Sequence, residues 1–140
     1  MGASNFAEIC FECDLWFNDH EEWAEHCQDH LNENQKLLRC DPIMFRNAPV
    51  KAGLCPFCLG EENLGPCKRM SQYLDRNNWY KHVQSHLNYQ ALLGKFHCRH
   101  PACEADFQSL ADLECHLRDV HCYNPPRGKK RTTYAEEGEL

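Results

Sequence analysis

Apolar and polar residues recur in a fixed order along this chain. The stretch WAEHCQDHLN, residues 23 to 32, returns 56 residues later as WYKHVQSHLN, residues 79 to 88, keeping Trp, His, Gln, His, Leu and Asn. Histidines at i and i+4 lie one turn apart on one helix face, so the pattern predicts two helices that each aim two imidazoles at one point. A third such stretch holds His116 and His121 five apart, which requires the last helical turn to tighten or loosen. Asp19, Asp75 and Ser109 stand where the three helices begin, and short polar side chains there accept hydrogen bonds from free backbone N–H groups. Asp19 with Glu22 approximates a capping box. Pro125 and Pro126 cannot continue the last helix. Between the first two helices, LLRCDPIMFRNAPV is too apolar for a solvated linker, so Leu37, Leu38, Ile43, Met44 and Phe45 are expected to pack between units. Trp16 and Phe11 add further apolar surface.

Composition then sets the chemistry. Eleven cysteines and nine histidines in 140 residues mean either a disulfide framework or metal ligation. The odd cysteine count fits full pairing poorly, and MGASNFAEIC lacks the basic start and apolar run of a signal peptide. No apolar stretch approaches the roughly 20 residues of a membrane helix. A soluble intracellular metal protein with reduced thiols is expected. The net charge of -6 is unevenly spread. Residues 1–50 carry three basic and ten acidic side chains, whereas residues 51–96 carry six and three. A polyanion would therefore meet the middle of the chain and the tail.

Each histidine pair needs two further donors. Cys10 and Cys13 precede His26 and His30, and Cys55 and Cys58 precede His82 and His86, both as C-x2-C. The third set is Cys98, Cys103, His116 and His121. Two thiolates in a tight turn with two imidazoles make a tetrahedral set suited to zinc. Cys67 and Cys122 are alternative donors near the second and third sets, and Cys27, Cys40, Cys115, His20, His97 and His100 are left over.

With these residues in register, the sequence resembles the C2H2 zinc-finger family, in which a short hairpin and a helix are clamped round one zinc ion. The resemblance covers roughly residues 6–122. Phe17 and Trp23, Tyr73 and Trp79, and Phe107 and Leu113 occupy the family's apolar places, which implies that the two tryptophans are core residues. The implied fold is a small metal-stabilised α+β protein of three packed ββα fingers holding three Zn2+ ions. Finger 1 spans 6–32, an apolar linker 33–52, finger 2 spans 53–88 with an inserted loop 59–70, finger 3 spans 95–122, and a disordered tail 123–140. Units of about thirty residues bury too little surface to fold unaided, so metal binding is expected to be folding. Two departures stand out. Fourteen residues separate Cys58 from Tyr73 where the family has three, and Glu8 and Gly53 replace the aromatic that often sits two before the first cysteine.

A closed four-donor shell leaves no position for water, so an enzyme and a small-molecule substrate are not expected. His20-Glu21-Glu22 matches half of a zinc-deaminase signature, but Leu54 stands where its other half needs proline. In DNA-binding fingers the helix positions seven, four and one before the first histidine read bases. Here they are Asp19, Glu22 and Glu25, then Asp75, Asn78 and Lys81, then Ser109, Asp112 and Cys115. Only the second helix offers donors. The connectors, 24 residues from His30 to Cys55 and eleven from His86 to Cys98, do not resemble the short linker of groove-tracking fingers. The leading expectation is a nuclear or nucleocytoplasmic regulatory module that binds another protein and no membrane. The alternative is DNA binding through Lys68, Arg69, Arg76, Asn78, Lys81 and a basic tail cluster of Arg127, Lys129, Lys130 and Arg131.

Overall fold

The computed structural model describes residues 6–125, so the basic cluster at 127–131 and most of the tail lie outside the described residues. The first unit opens with β1 (Glu8–Cys10) and β2 (Leu15–Phe17), an antiparallel pair in which Cys10 faces Leu15 and Glu8 faces Phe17. Asp14, at φ 61, closes the turn between them. Next comes α1 (His20–Asn32), whose Asp19 cap accepts a hydrogen bond from the Glu22 N–H at 3.1 Å. Spaced four apart, Trp23, Cys27 and Leu31 form its buried stripe.

The connector is structured. Leu37 ends a short 3-10 turn and is buried, and Leu38 and Ile43 are half-buried. Met44 and Phe45 are exposed, at 51% and 62%, which corrects the expectation that they pack between units. The reason is local. Arg46 and Asn47 both take positive φ, the signature of a tight hairpin turn, so β3 (Ile43–Phe45) folds back on β4 (Ala48–Lys51).

The second unit departs from the expected hairpin-and-helix pattern. Cys55 caps and Cys58 sits on α2 (Pro56–Leu59), where Pro56 is pre-set for the first helical position. The only strand-like pairing there is a single bridge of Gly53 to Tyr73. The 59–70 insertion, expected as a loop, includes α3 (Pro66–Arg69), which packs on α1. Then α4 (Arg76–Leu93) runs seven residues beyond His86 and stops at Gly94, whose φ of 70 is the left-handed conformation that glycine adopts most easily. The third unit returns to the first pattern, with β5 (Phe96–Cys98) paired to β6 (Ala105–Phe107) and followed by α5 (Leu110–His121). Its Ser109 cap accepts from the Asp112 N–H.

One apolar core crosses all three units, joining Trp23 and Leu31 to Phe57, Trp79 and Leu87 and on to Leu113 and Leu117. Trp79 lies fully buried in it and donates its indole N–H to the Leu54 carbonyl at 2.8 Å. Here Gly53 finds its reason. A Cβ at that position would sit 2.8 Å from both Trp79 Cδ1 and Pro42 Cδ, so no aromatic fits there. Backbone bonds tie the connector to both neighbours, from Leu54 N–H to the Cys40 carbonyl and from Cys40 N–H to that of His121. Gln72 likewise clasps β1, donating to Ile9 O and accepting from Phe11 N–H.

Candidate metal centres

The three helices bring their histidine pairs to the expected thiols. Cys10, Cys13, His26 and His30 converge, as do Cys55, Cys58, His82 and His86, and Cys98, Cys103, His116 and His121, with all donor atoms of a set within 4.8 Å of one another. In every set the two imidazole planes are nearly perpendicular, at 88°, 78° and 76°.

The spacing between donors tests which ion fits. With Zn–S of about 2.3 Å and Zn–N of about 2.0–2.1 Å, a regular tetrahedron has N···N edges of about 3.3 Å and N···S edges of about 3.6 Å. In the first set His26 Nε2 and His30 Nε2 are 3.1 Å apart, and Cys10 Sγ and Cys13 Sγ lie 3.4 and 3.5 Å from His30 Nε2. The second set has 3.3 Å between its imidazoles, and 3.3 and 3.6 Å from Cys58 Sγ to His82 and His86. In the third, Cys98 Sγ and Cys103 Sγ are 3.5 and 3.6 Å from His121 Nε2. His116 Nε2 is buried there without a hydrogen-bond partner, as a metal donor would be. These edges fit a zinc-sized tetrahedral ion, and four protein donors would fill its shell.

The electrostatics of the donors suit metal ligation. Burial pushes the Cys10 thiol up to about 11 and the Cys98 thiol up to about 12. Burial also pushes Cys55 well up, while a hydrogen bond from Cys55, helped by His82 and His86, holds Cys58 down to about 3. Burial lowers His26 and His116 and takes His121 down to about 4. Such imidazoles are neutral donors at neutral pH, and thiols of this kind release protons when a metal takes them.

The third centre has an outer support that sequence reasoning did not find. His121 donates Nδ1–H to the Leu38 carbonyl at 2.6 Å, which leaves Nε2 as the donor to the centre. Stacked on it at 4.6 Å, His100 is fully buried. Cys40, His100 and His121 approach closely enough to resemble a fourth metal set, yet their atoms are already engaged. His100 Nε2 donates to Leu37 O at 2.9 Å and Nδ1 accepts from Ala102 N–H at 3.0 Å. Cys40 Sγ lies 3.4 and 3.5 Å from the Leu37 and Leu38 carbonyls. This trio is a hydrogen-bonded brace between connector and third unit. No spacing motif announces it, because its acceptors are backbone carbonyls 63 and 83 residues away. The five-residue gap of His116 and His121 is met by an open final turn, in which the Cys122 and Tyr123 N–H groups both reach Leu117 O.

The alternative donors lie elsewhere. Cys67 Sγ sits 3.9 Å from His20 Nε2 and beside Cys27, against the first unit. Cys122 is the left-handed cap of α5. His97 Nδ1 meets its cross-strand neighbour Asp106 at 2.6 Å.

Cations named for nucleic acid divide into two groups. Arg76 is held by Asp41 Oδ2 at 3.1 Å and the Pro42 carbonyl at 2.9 Å, and Arg69 gives two bonds to Leu59 O. Both therefore hold internal ties through part-exposed guanidinium groups. Lys68, Asn78 and Lys81 are exposed. No protein-family model matches the chain, nor does any curated protein or solved structure.

Proposed function

We propose that the chain is a three-zinc finger module of a nuclear or nucleocytoplasmic regulatory protein, whose main role is to bind another protein. One observation carries the reading, namely the engagement of Arg76 and Arg69 by Asp41 and by backbone carbonyls, which leaves fewer unengaged cations to offer a phosphate backbone. The first helix adds Glu21, Glu22 and Glu25, all exposed, on the side where a phosphate-lined groove would repel them. Asp19, Asp75 and Ser109 serve as helix caps at the positions that read bases in DNA-binding fingers. The donor edges of about 3.3 and 3.6 Å support zinc as the ion. Closed four-donor shells support a structural rather than a catalytic role.

DNA binding is the second reading, favoured by the exposure of Lys68, Asn78 and Lys81. Titration of the metal-loaded protein against mixed-sequence duplexes at two ionic strengths separates the two. Weak, unselective binding is expected, with Lys81→Ala nearly silent toward a protein partner. Nanomolar, salt-sensitive and sequence-selective binding would reverse the order of the readings.

A further inference from the structure

The part of α4 beyond His86 holds no metal donor, yet it is tightly fixed. Gln90 donates to His97 O at 2.9 Å and accepts from His97 N–H at 2.8 Å, which pins the extension to β5, and Gly94 caps it. Despite this order it leaves Tyr89, Leu92 and Leu93 at 62%, 85% and 55% exposure. These positions, i, i+3 and i+4, form one apolar stripe on a rigid helix.

Beside the stripe runs a groove of about 460 Å³. Phe57, buried and stacked on His86 with centroids 5.1 Å apart, lines it, as do Leu64 from the insertion and Tyr89 and Leu93 from α4. Lys95 and Arg99 also line it, against one carboxylate, Glu61. Arg99 pairs with Glu61 at 3.2 Å, and Lys95 has no ion pair among the described residues. An apolar groove with one unanswered cation is complementary to an apolar group carried next to a carboxylate. Leu92 extends the apolar surface past the groove, so a peptide chain covers what a small molecule would leave bare.

We propose that this groove, formed by α4, the insertion and β5, binds an acidic amphipathic peptide segment of a partner protein. A large apolar side chain enters between Leu64, Tyr89 and Leu93, and a neighbouring Asp or Glu meets Lys95. The inference rests on the protein-partner reading and gives that reading a location and a chemistry.

The test is selection of a displayed library of random 12-residue peptides on the full metal-loaded chain, followed by titration of the resynthesised winners. Winners are expected to place Leu, Phe or Trp beside Asp or Glu. Lys95→Glu should weaken them by about tenfold or more and favour versions with Lys in place of the acid, a swap that a merely structural lysine would not produce. Leu93→Asp should abolish binding, with Tyr89→Ala as a second probe, each variant checked by native mass spectrometry for unchanged metal content. Basic winners, no winners, or winners indifferent to Lys95→Glu overturn the groove. Winners lost on Trp16→Ser but not on Leu93→Asp overturn the groove and leave the protein-partner reading standing. Self-association abolished by Leu93→Asp, with an empty selection, would assign the face to a second copy and overturn the proposed occupant. Selective duplex binding with an empty selection removes both inferences.

Discussion

The first and second units share a ten-residue stretch, yet only the first is led by a β-hairpin. In the first, β1 delivers Cys10 and Trp23 remains near the rim of the core at 6% exposure. In the second, α2 carries Cys58, and Trp79 sits fully buried among Gly53, Leu54 and Tyr123. A metal centre constrains where four donor atoms lie, and either a hairpin or one helical turn puts two thiols there. What changes with the carrier is the neighbourhood of the tryptophan. The first unit is an end piece, and the second is the hub.

Metal removal gives the largest contrast. Structural zinc supplies roughly 10–16 kcal/mol per site in finger peptides. Chelation is therefore expected to abolish helical circular dichroism. His82→Ala should disorder all three units, whereas His26→Ala should leave amide protection in α4 and α5. Equal global loss from both variants would break the hub and end-piece distinction. Acid reaches the same end by protonating donors. Burial lowers His121 to about 4, so its neutral form contributes stability that is full above the ordinary imidazole value near 6.5 and is lost as pH falls toward 4. Melting temperature followed from pH 7 to 4 should fall through that window.

Removing the tryptophans sharpens the comparison at smaller scale. Trp79→Ala should cost about 3–5 kcal/mol, since it empties a fully buried site and orphans the Leu54 carbonyl. Trp23→Ala should cost less, and urea melts of the two variants measure the difference. Gly53→Ala is expected to cost about 1–3 kcal/mol through overpacking against Trp79 and Pro42. The matching Glu8→Ala, in the first unit, should be nearly neutral. Asp19→Ala, which removes the cap of α1, should cost only about 1 kcal/mol.

Much of this is legible in the sequence. The i,i+4 histidines, the C-x2-C pairs and the capping residues each act over one or two turns of chain, and the structure assembles the donor sets from them. Less legible were the features made by contact at long range. The connector's apolar residues do not reveal that Arg46 and Asn47 turn Phe45 outward, nor does Arg76 announce Asp41, 35 residues away. Cys55, Cys58 and the insertion gave no sign that a proline-led helix would replace a hairpin, because C-x2-C spacing suits both.

Alone, the order of residues determined which atoms can grip an ion, since ligand geometry depends on spacing within a turn. Only tertiary structure decided which tryptophan is central, which arginines are committed and where apolar surface stays open. Those outcomes depend on which distant segments compete for the same space, and local spacing carries no record of that competition.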